Sequence, residues 1–321
     1  MTQSYLLHTL GRRIEAFPTL REHLWGLEAQ LVERAWRKAA GCDIDTASDF
    51  GAKLGRWLGP RSYKNQHVLS NLSIAFPHLL PHQVADLALK VWESIGRTLI
   101  EYPLLERICD PAENRIRVVD LGGLEAIRAC GRPAVFVSAH VGNFNLLALA
   151  ATRSAIPLTV VYRRQTNPSI ERLMSRWRTA IGCRFLEVGE ATRPLLQELR
   201  TGRSVGLIMD QRYDRGVKVP FFGRPATTTL VPARLAVRLG LPLVPARVVR
   251  LRGARFSVMV QPPIERPTGL DEEAAALAMT TRVNAQFARW IAARPEEWLC
   301  AKRRWPRQRA RLPGGGKISL T

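Results

Sequence analysis

Ala134-Val-Phe-Val-Ser-Ala-His140-Val-Gly-Asn-Phe-Asn145 is the stretch on which the reading of the fold turns. Residues 134–139 form a short apolar run, the signature of a strand buried on both faces. A turn containing glycine follows, and a helix is predicted over 143–153. His140 therefore stands at the carboxyl end of a buried strand, facing the crevice where open α/β sheets bind their ligands. Five of the six histidines lie at or before position 82, so His140 alone falls in this half of the chain.

Outward from that strand the rhythm repeats. Further strands are predicted over 116–119, 158–162, 184–187, 204–209, 243–249 and 256–260. Helices are predicted between them over 123–130, 169–181, 192–200, 229–239 and 271–293. Strand–helix alternation of this kind predicts an α/β fold with a largely parallel central sheet flanked by helices. Upstream, residues 1–110 read as a helical N-terminal region. Leu20, Leu24, Leu27 and Leu31 recur at helical spacing near Trp25 and Trp36. Helices are also predicted over 46–58 and 83–108, with the polar, basic stretch from Arg61 to His67 between them. Amphipathic helices of this composition suit a membrane interface, and they suit packing against a core equally well. The chain thus divides into a helical region at 1–110, an α/β domain at 111–300 and a basic tail, partly flexible, at 301–321.

Charge is the compositional outlier. Lys and Arg number 48 against 27 acidic residues, a net charge of +21. Such a surface seeks polyanions, whether nucleic acid, anionic lipid headgroups or an acidic protein; an Arg-rich codon bias would also produce it. Five cysteines stand far apart without a CxxC pair, which argues against a disulfide framework and a zinc site. No run reaches the 18 or so apolar residues of a transmembrane helix, and residues 1–17 lack the apolar core of a signal peptide.

Several chemistries find no support. Gly202-Arg-Ser-Val-Gly206 spells GxSxG, yet a nucleophile elbow needs a strand before the serine and a helix after it, and here the order is reversed. Neither a phosphate-binding glycine loop nor paired metal ligands occur in usable context. Aromatic and basic residues do not interleave as nucleic-acid modules require. Asp210 ends the 204–209 strand beside Gln211 and so belongs to the same sheet edge as His140; it is either a lining residue of that crevice or a turn acid. Phe221-Phe-Gly-Arg-Pro-Ala-Thr-Thr-Thr229 reads as a polar and aromatic loop. Exposed phenylalanines there would mark a lipid surface and buried ones a core.

At these residues the chain resembles a known family. His140 to Asn145 is similar to the His-x4-Asp/Glu block of lysophospholipid and lipid A acyltransferases. The lauroyl/myristoyl branch is further matched by Asn71-Leu-Ser-Ile-Ala-Phe-Pro77, Val161-Tyr-Arg163 with Asn167-Pro168, and Asp210-Gln211. Val219-Pro-Phe-Phe-Gly-Arg-Pro-Ala226 and Pro295-Glu-Glu-Trp-Leu299 with Arg303-Arg-Trp305 complete a series spanning roughly 50–306, in the family's order. The resemblance implies an O-acyltransferase of lipopolysaccharide biosynthesis. It would move a fatty acyl group from an acyl carrier protein thioester, with no other cofactor, to a hydroxyl of a lipid A precursor or similar glycolipid. His140 would be the general base, and Arg163 would stabilise the oxyanion. Substrate-binding roles carry over to Asn143, Phe144, Gln211, Phe221, Phe222, Gly223, Arg224 and Pro225. The expected partners are acyl carrier protein and an anionic lipid surface, not nucleic acid, at the cytoplasmic face of the bacterial inner membrane.

Two departures stand out. The acid five residues after the histidine is here Asn145, and in serine proteases such an acid-to-amide change costs about 10⁴ in rate. Either another acid serves, Asp210 being the candidate, or transfer is slow, or the chain is a catalytically silent relative that binds lipid or carrier protein. Many relatives also carry an N-terminal anchor helix; none is read here, so peripheral attachment is expected.

Overall fold

The computed structural model describes residues 18–187 and 193–306. The segment read for a signal peptide therefore lies outside the described residues, as does the tail beyond Pro306.

Helix α1 (Pro18–Ala40) leads, and its Trp36 stacks on Tyr102 with ring centroids 5.7 Å apart. Helix α2 (Ile44–Leu58) is capped by the Asp43 carboxylate, which accepts from Thr46 N at 2.9 Å. Helix α3 (Asn65–Ala75) was hidden in the sequence by its polar first turn, yet Val68, Asn71, Leu72 and Ala75 form one buried face. Helix α4 (Pro81–Ile100) ends earlier than the predicted 108. Pro103 lacks an N–H and clashes with a continuing helix, so the chain passes through a 3₁₀ turn at Tyr102–Leu104 into the short α5 (Leu105–Cys109).

The α/β part follows: β1 (Ile116–Asp120), α6 (Gly123–Cys130) and β2 (Val135–Ser138). The helix predicted over 143–153 is instead a 3₁₀ turn, Phe144–Leu146, and the single turn α7 (Leu149–Thr152). Asn143 and Asn145 spend their side chains on each other and on Glu101 there, which competes with regular helix. Then come β3 (Leu158–Tyr162), α8 (Pro168–Arg178), β4 (Arg184–Glu187), α9 (Arg193–Arg200) and β5 (Ser204–Ile208). The loop expected at 221–229 is largely part of a hairpin, β6 (Val217–Phe221) and β7 (Arg224–Thr228). Helix α10 (Val231–Leu239), β8 (Leu243–Arg250), β9 (Phe256–Val260) and α11 (Glu272–Ala293) complete the body.

All seven predicted strands join one sheet, in the order β1-β9-β8-β2-β5-β3-β4. Every neighbouring pair is parallel except β8 with β9. The α/β architecture with a helical N-terminal region is as expected. Strand alternation divides the core: Val135, Val137 and Val205 pack against α3, α4, α10 and α11 on one face. Phe136, Leu158, Val244 and Ala246 pack on the other against Trp36, Leu104 and Leu149.

Residues 301–306, assigned to the tail in the sequence, are tied to the body. Asn71 Nδ2 donates to the carbonyls of Cys300 (2.9 Å) and Lys302 (2.7 Å), and its Oδ1 accepts from Arg304 N. Arg304 is buried; its guanidinium donates to Thr227 O and Thr228 Oγ1 and lies 4.8 Å from the Phe221 ring centroid. A basic count alone reads such a residue as solvated.

Candidate functional site

The order of the strands creates the site. β2 and β5 are parallel neighbours with Ser138 opposite Ile208, so the residues just past their carboxyl ends come side by side. His140 and Asp210 are those residues. His140 Nδ1 donates to Asp210 Oδ1 at 2.6 Å, and Trp298 Nε1 donates to Oδ2 at 2.9 Å. Asp210 is buried, while 20% of the His140 side chain stays exposed. The carboxylate holds the proton on Nδ1 and leaves Nε2 as the acceptor. Gln211 Nε2 reaches that nitrogen at 3.2 Å, and Phe144 meets the imidazole edge to face at 4.8 Å.

Burial by itself would push the Asp210 carboxyl up. The charge and hydrogen bond of His140, with the Trp298 indole, outweigh it and hold the group below the ordinary carboxylate value. Arg304 responds to the same surroundings: burial pulls it down to about 10, against the opposing pull of the Asp210 charge.

Asn145 makes no hydrogen bond to the imidazole. Its amide donates to Asn143 Oδ1 (2.9 Å), and Asn143 donates to Glu101 Oε2 (2.8 Å). Glu101 is fully buried and takes both arms of Arg250 and the Ser48 hydroxyl. The position of the family's acid has thus joined a structural network, while Asp210 stands beside the histidine.

The remaining residues singled out from sequence are dispersed. Arg163 is exposed just past β3, which neighbours β5, so its charge lies at the same sheet edge. Phe221 is core, packed on Trp298 and Trp305; Phe222 is half-buried, stacked on Trp298 and against Phe76. Gly223, Arg224 and Pro225 form the exposed tip of the hairpin. Ser204 opens β5 at the far end of the sheet, where its hydroxyl accepts from Ala134 N. Trp298 and Glu101 were not recognised as site residues, because their roles depend on contacts 88 and 42 positions away. Trp298 did sit inside a matched block, the one signal that pointed to it.

An apolar cavity of about 130 Å³ lies beside Phe144, the ring that packs on His140. Phe144, Asn145 and Ser138 line its near side, and Phe136, Val160 and Gly206 are among its walls. A base with a fixed tautomer, a buried counter-charge and an apolar cavity together equip the cleft to deprotonate a hydroxyl beside a hydrocarbon chain.

The chain is similar to several known proteins. The model of the family described as "Bacterial lipid A biosynthesis acyltransferase" matches residues 18–307. A phosphatidylinositol mannoside acyltransferase of Mycobacterium tuberculosis (strain ATCC 25618 / H37Rv) is 27% identical over 287 residues, 88% of this chain and 86% of that protein. A lipid A biosynthesis acyltransferase of Haemophilus influenzae is 21% identical over 256 residues, 77% of each. Among solved structures, the 1-acyl-sn-glycerophosphate acyltransferase PlsC of Thermotoga maritima aligns with a TM-score of 0.37 at 12% identity, over 78% of this chain and 98% of that one.

Proposed function

The chain belongs to the bacterial lipid A biosynthesis acyltransferase family, an acyltransferase acting on lipid-like substrates, and from that premise we propose how it acts. It moves a fatty acyl group from an acyl carrier protein thioester to a hydroxyl of a lipid A precursor or similar glycolipid. The observation that carries this reading is the 2.6 Å contact between His140 Nδ1 and the buried Asp210 carboxylate.

In the proposed step the acceptor hydroxyl displaces the Gln211 amide from His140 Nε2 and gives that nitrogen its proton. The oxygen attacks the thioester carbonyl carbon, the carbon–sulfur bond breaks, and the departing thiolate takes the proton back from the imidazolium. Asp210 stays ionised throughout and offsets the transient positive charge. Arg163, at the same edge, faces the oxyanion. The acyl chain occupies the apolar cavity behind Phe144. An acidic carrier protein suits the +21 surface, and so does an anionic bilayer. Among the described residues no helix is long and apolar enough to cross a membrane, so we place the protein peripherally, on the cytoplasmic face of the inner membrane. The acceptor spans two chemistries, since relatives are named for lipid A and for phosphatidylinositol mannoside. Against the silent-relative reading, which Asn145 motivates, stands the Asp210 carboxylate that already accepts from the imidazole.

The test is transfer by purified protein from acyl carrier protein thioesters to lipid A precursors and phosphatidylinositol mannosides. Wild type is expected to transfer to one acceptor class, and His140→Ala to lose at least about 10³ of the rate. Full activity in His140→Ala, or none in wild type with either acceptor, rejects the mechanism.

A further inference from the structure

The cavity beside Phe144 is a groove laid across the sheet. In register, Phe136 on β2 faces Gly206 on β5, Gly206 faces Val160 on β3, and Val160 faces Phe185 on β4. All four line the cavity. Gly206 is the one member of this row without a side chain, and that gap opens the passage. A Cβ built there would meet Leu158 and Val160 at 3.7 Å, ordinary contact, so the glycine is not required by crowding. Strands lie about 4.8 Å apart, which puts the β4 end roughly 14 Å from the β2 end where His140 follows.

At that far end the lining changes character. Arg178, itself buried, lies 4.5 Å from the Tyr162 ring centroid and 5.6 Å from that of Phe185. Its Nη1 donates to Glu171 at 2.8 Å and its Nε to the Tyr102 hydroxyl at 3.1 Å. Glu171 and Tyr102 are buried as well. Arg178, held in that ion pair, thus lines a groove whose other walls are chiefly apolar.

The structure assigns the upper limit on acyl-chain length to Arg178, fixed by Glu171 and Tyr102 at the end of this groove. The inference rests on the reading of the cavity as the acyl-chain site. One more methylene in an apolar groove improves binding roughly fourfold. Opening a buried ion pair costs on the order of a hundredfold or more. A chain one or two carbons too long cannot offset that, so the cut-off is steep rather than gradual.

The test measures binding directly, so that it does not need turnover. Saturated fatty acids from octanoate to stearate displace a fluorescent fatty acid from wild type, Gly206→Ala, and Arg178→Met combined with Glu171→Gln, which leaves no unpaired carboxylate. Wild-type affinity is expected to climb about fourfold per methylene to a limit and then drop at least tenfold. The double variant moves that limit to longer chains and Gly206→Ala moves it to shorter ones. Should the double variant fail to fold, Tyr102→Phe releases the Arg178 Nε and must relax the limit in the same direction. An unmoved limit in these variants while Gly206→Ala still shifts it overturns the Arg178 assignment and leaves the transferase reading intact. No shift in any variant overturns the assignment together with the placing of the chain. Shifts as expected in a protein that transfers nothing uphold the stop and remove the enzyme around it.

Discussion

Asp210 must be ionised to steady a protonated imidazole, and its surroundings arrange this. Burial opposes the charge, but His140 and Trp298 together win, so the folded value lies below the ordinary 3.8. A depressed carboxylate stabilises the fold above its unfolded value, and the contribution fades as pH falls through the folded one. Denaturation midpoints should therefore show Asp210→Asn less stable than wild type at neutral pH by about 1–3 kcal/mol. That gap should close below pH 3.8, the ordinary carboxyl value. The same substitution should cut the transfer rate by about 10³–10⁴, because the imidazole loses its counter-charge. Restoring the family's acid with Asn145→Asp is expected to fail. The new carboxylate would face Asn143 Oδ1, and Asn143 cannot turn its amide without setting that oxygen against Glu101. We expect a loss of about 1–3 kcal/mol in chemical denaturation and no gain in rate; a faster enzyme would mean that Asn145 can swing to the histidine.

Helices α2 and α4 meet through glycines, which makes their crossing a demanding contact between elements. A Cβ on Gly55 would lie 2.1 Å from Trp92 O, and one on Gly96 equally close to Gly51 O. Neither backbone can retreat without parting the helices, so Gly55→Ala or Gly96→Ala should destabilise by about 2–4 kcal/mol, read as a lowered thermal midpoint. The segment Pro295–Trp305 acts as a brace of a different kind, since Leu299 N donates to His140 O and Trp298 holds Asp210. The sequence carried the strands well: most were short apolar runs punctuated by turns, and His140 was legible because a buried strand fed directly into Gly142. The hairpin β6–β7 was not, since Pro220 and Pro225 interrupt both arms and Phe222 takes a left-handed φ of 50° that its side chain does not advertise. Helix α3 opens on Asn65-Gln-His67, which looks like a loop. Asp210 could be placed at the right edge from its strand, but its partnership with His140 depends on β5 sitting beside β2. That order joins non-consecutive strands and leaves no local trace.

Across the whole molecule, charge and exposed apolar surface pose the same question. A net +21 supplies long-range attraction to an anionic surface but no grip. Grip requires apolar groups free to insert, and the N-terminal helices offer them. Leu20, Leu27 and Leu31 project from α1, and Phe50, Trp57 and Leu58 from α2, all exposed, with the Arg61 guanidinium over the Trp57 ring. Helices α1 and α2 touch. The two contributions separate by salt. Binding to phosphatidylglycerol vesicles should weaken as ionic strength rises, since the Debye length falls from about 10 Å at 0.1 M to about 3 Å at 1 M. Binding to phosphatidylcholine vesicles should be slight at any salt. Leu27→Asp with Leu31→Asp removes inserting groups without touching the core, so the thermal midpoint should hold while vesicle affinity drops about tenfold or more. If the double variant sediments with anionic vesicles as wild type does, α1 is not the inserting face, and the charge alone holds the protein to the surface.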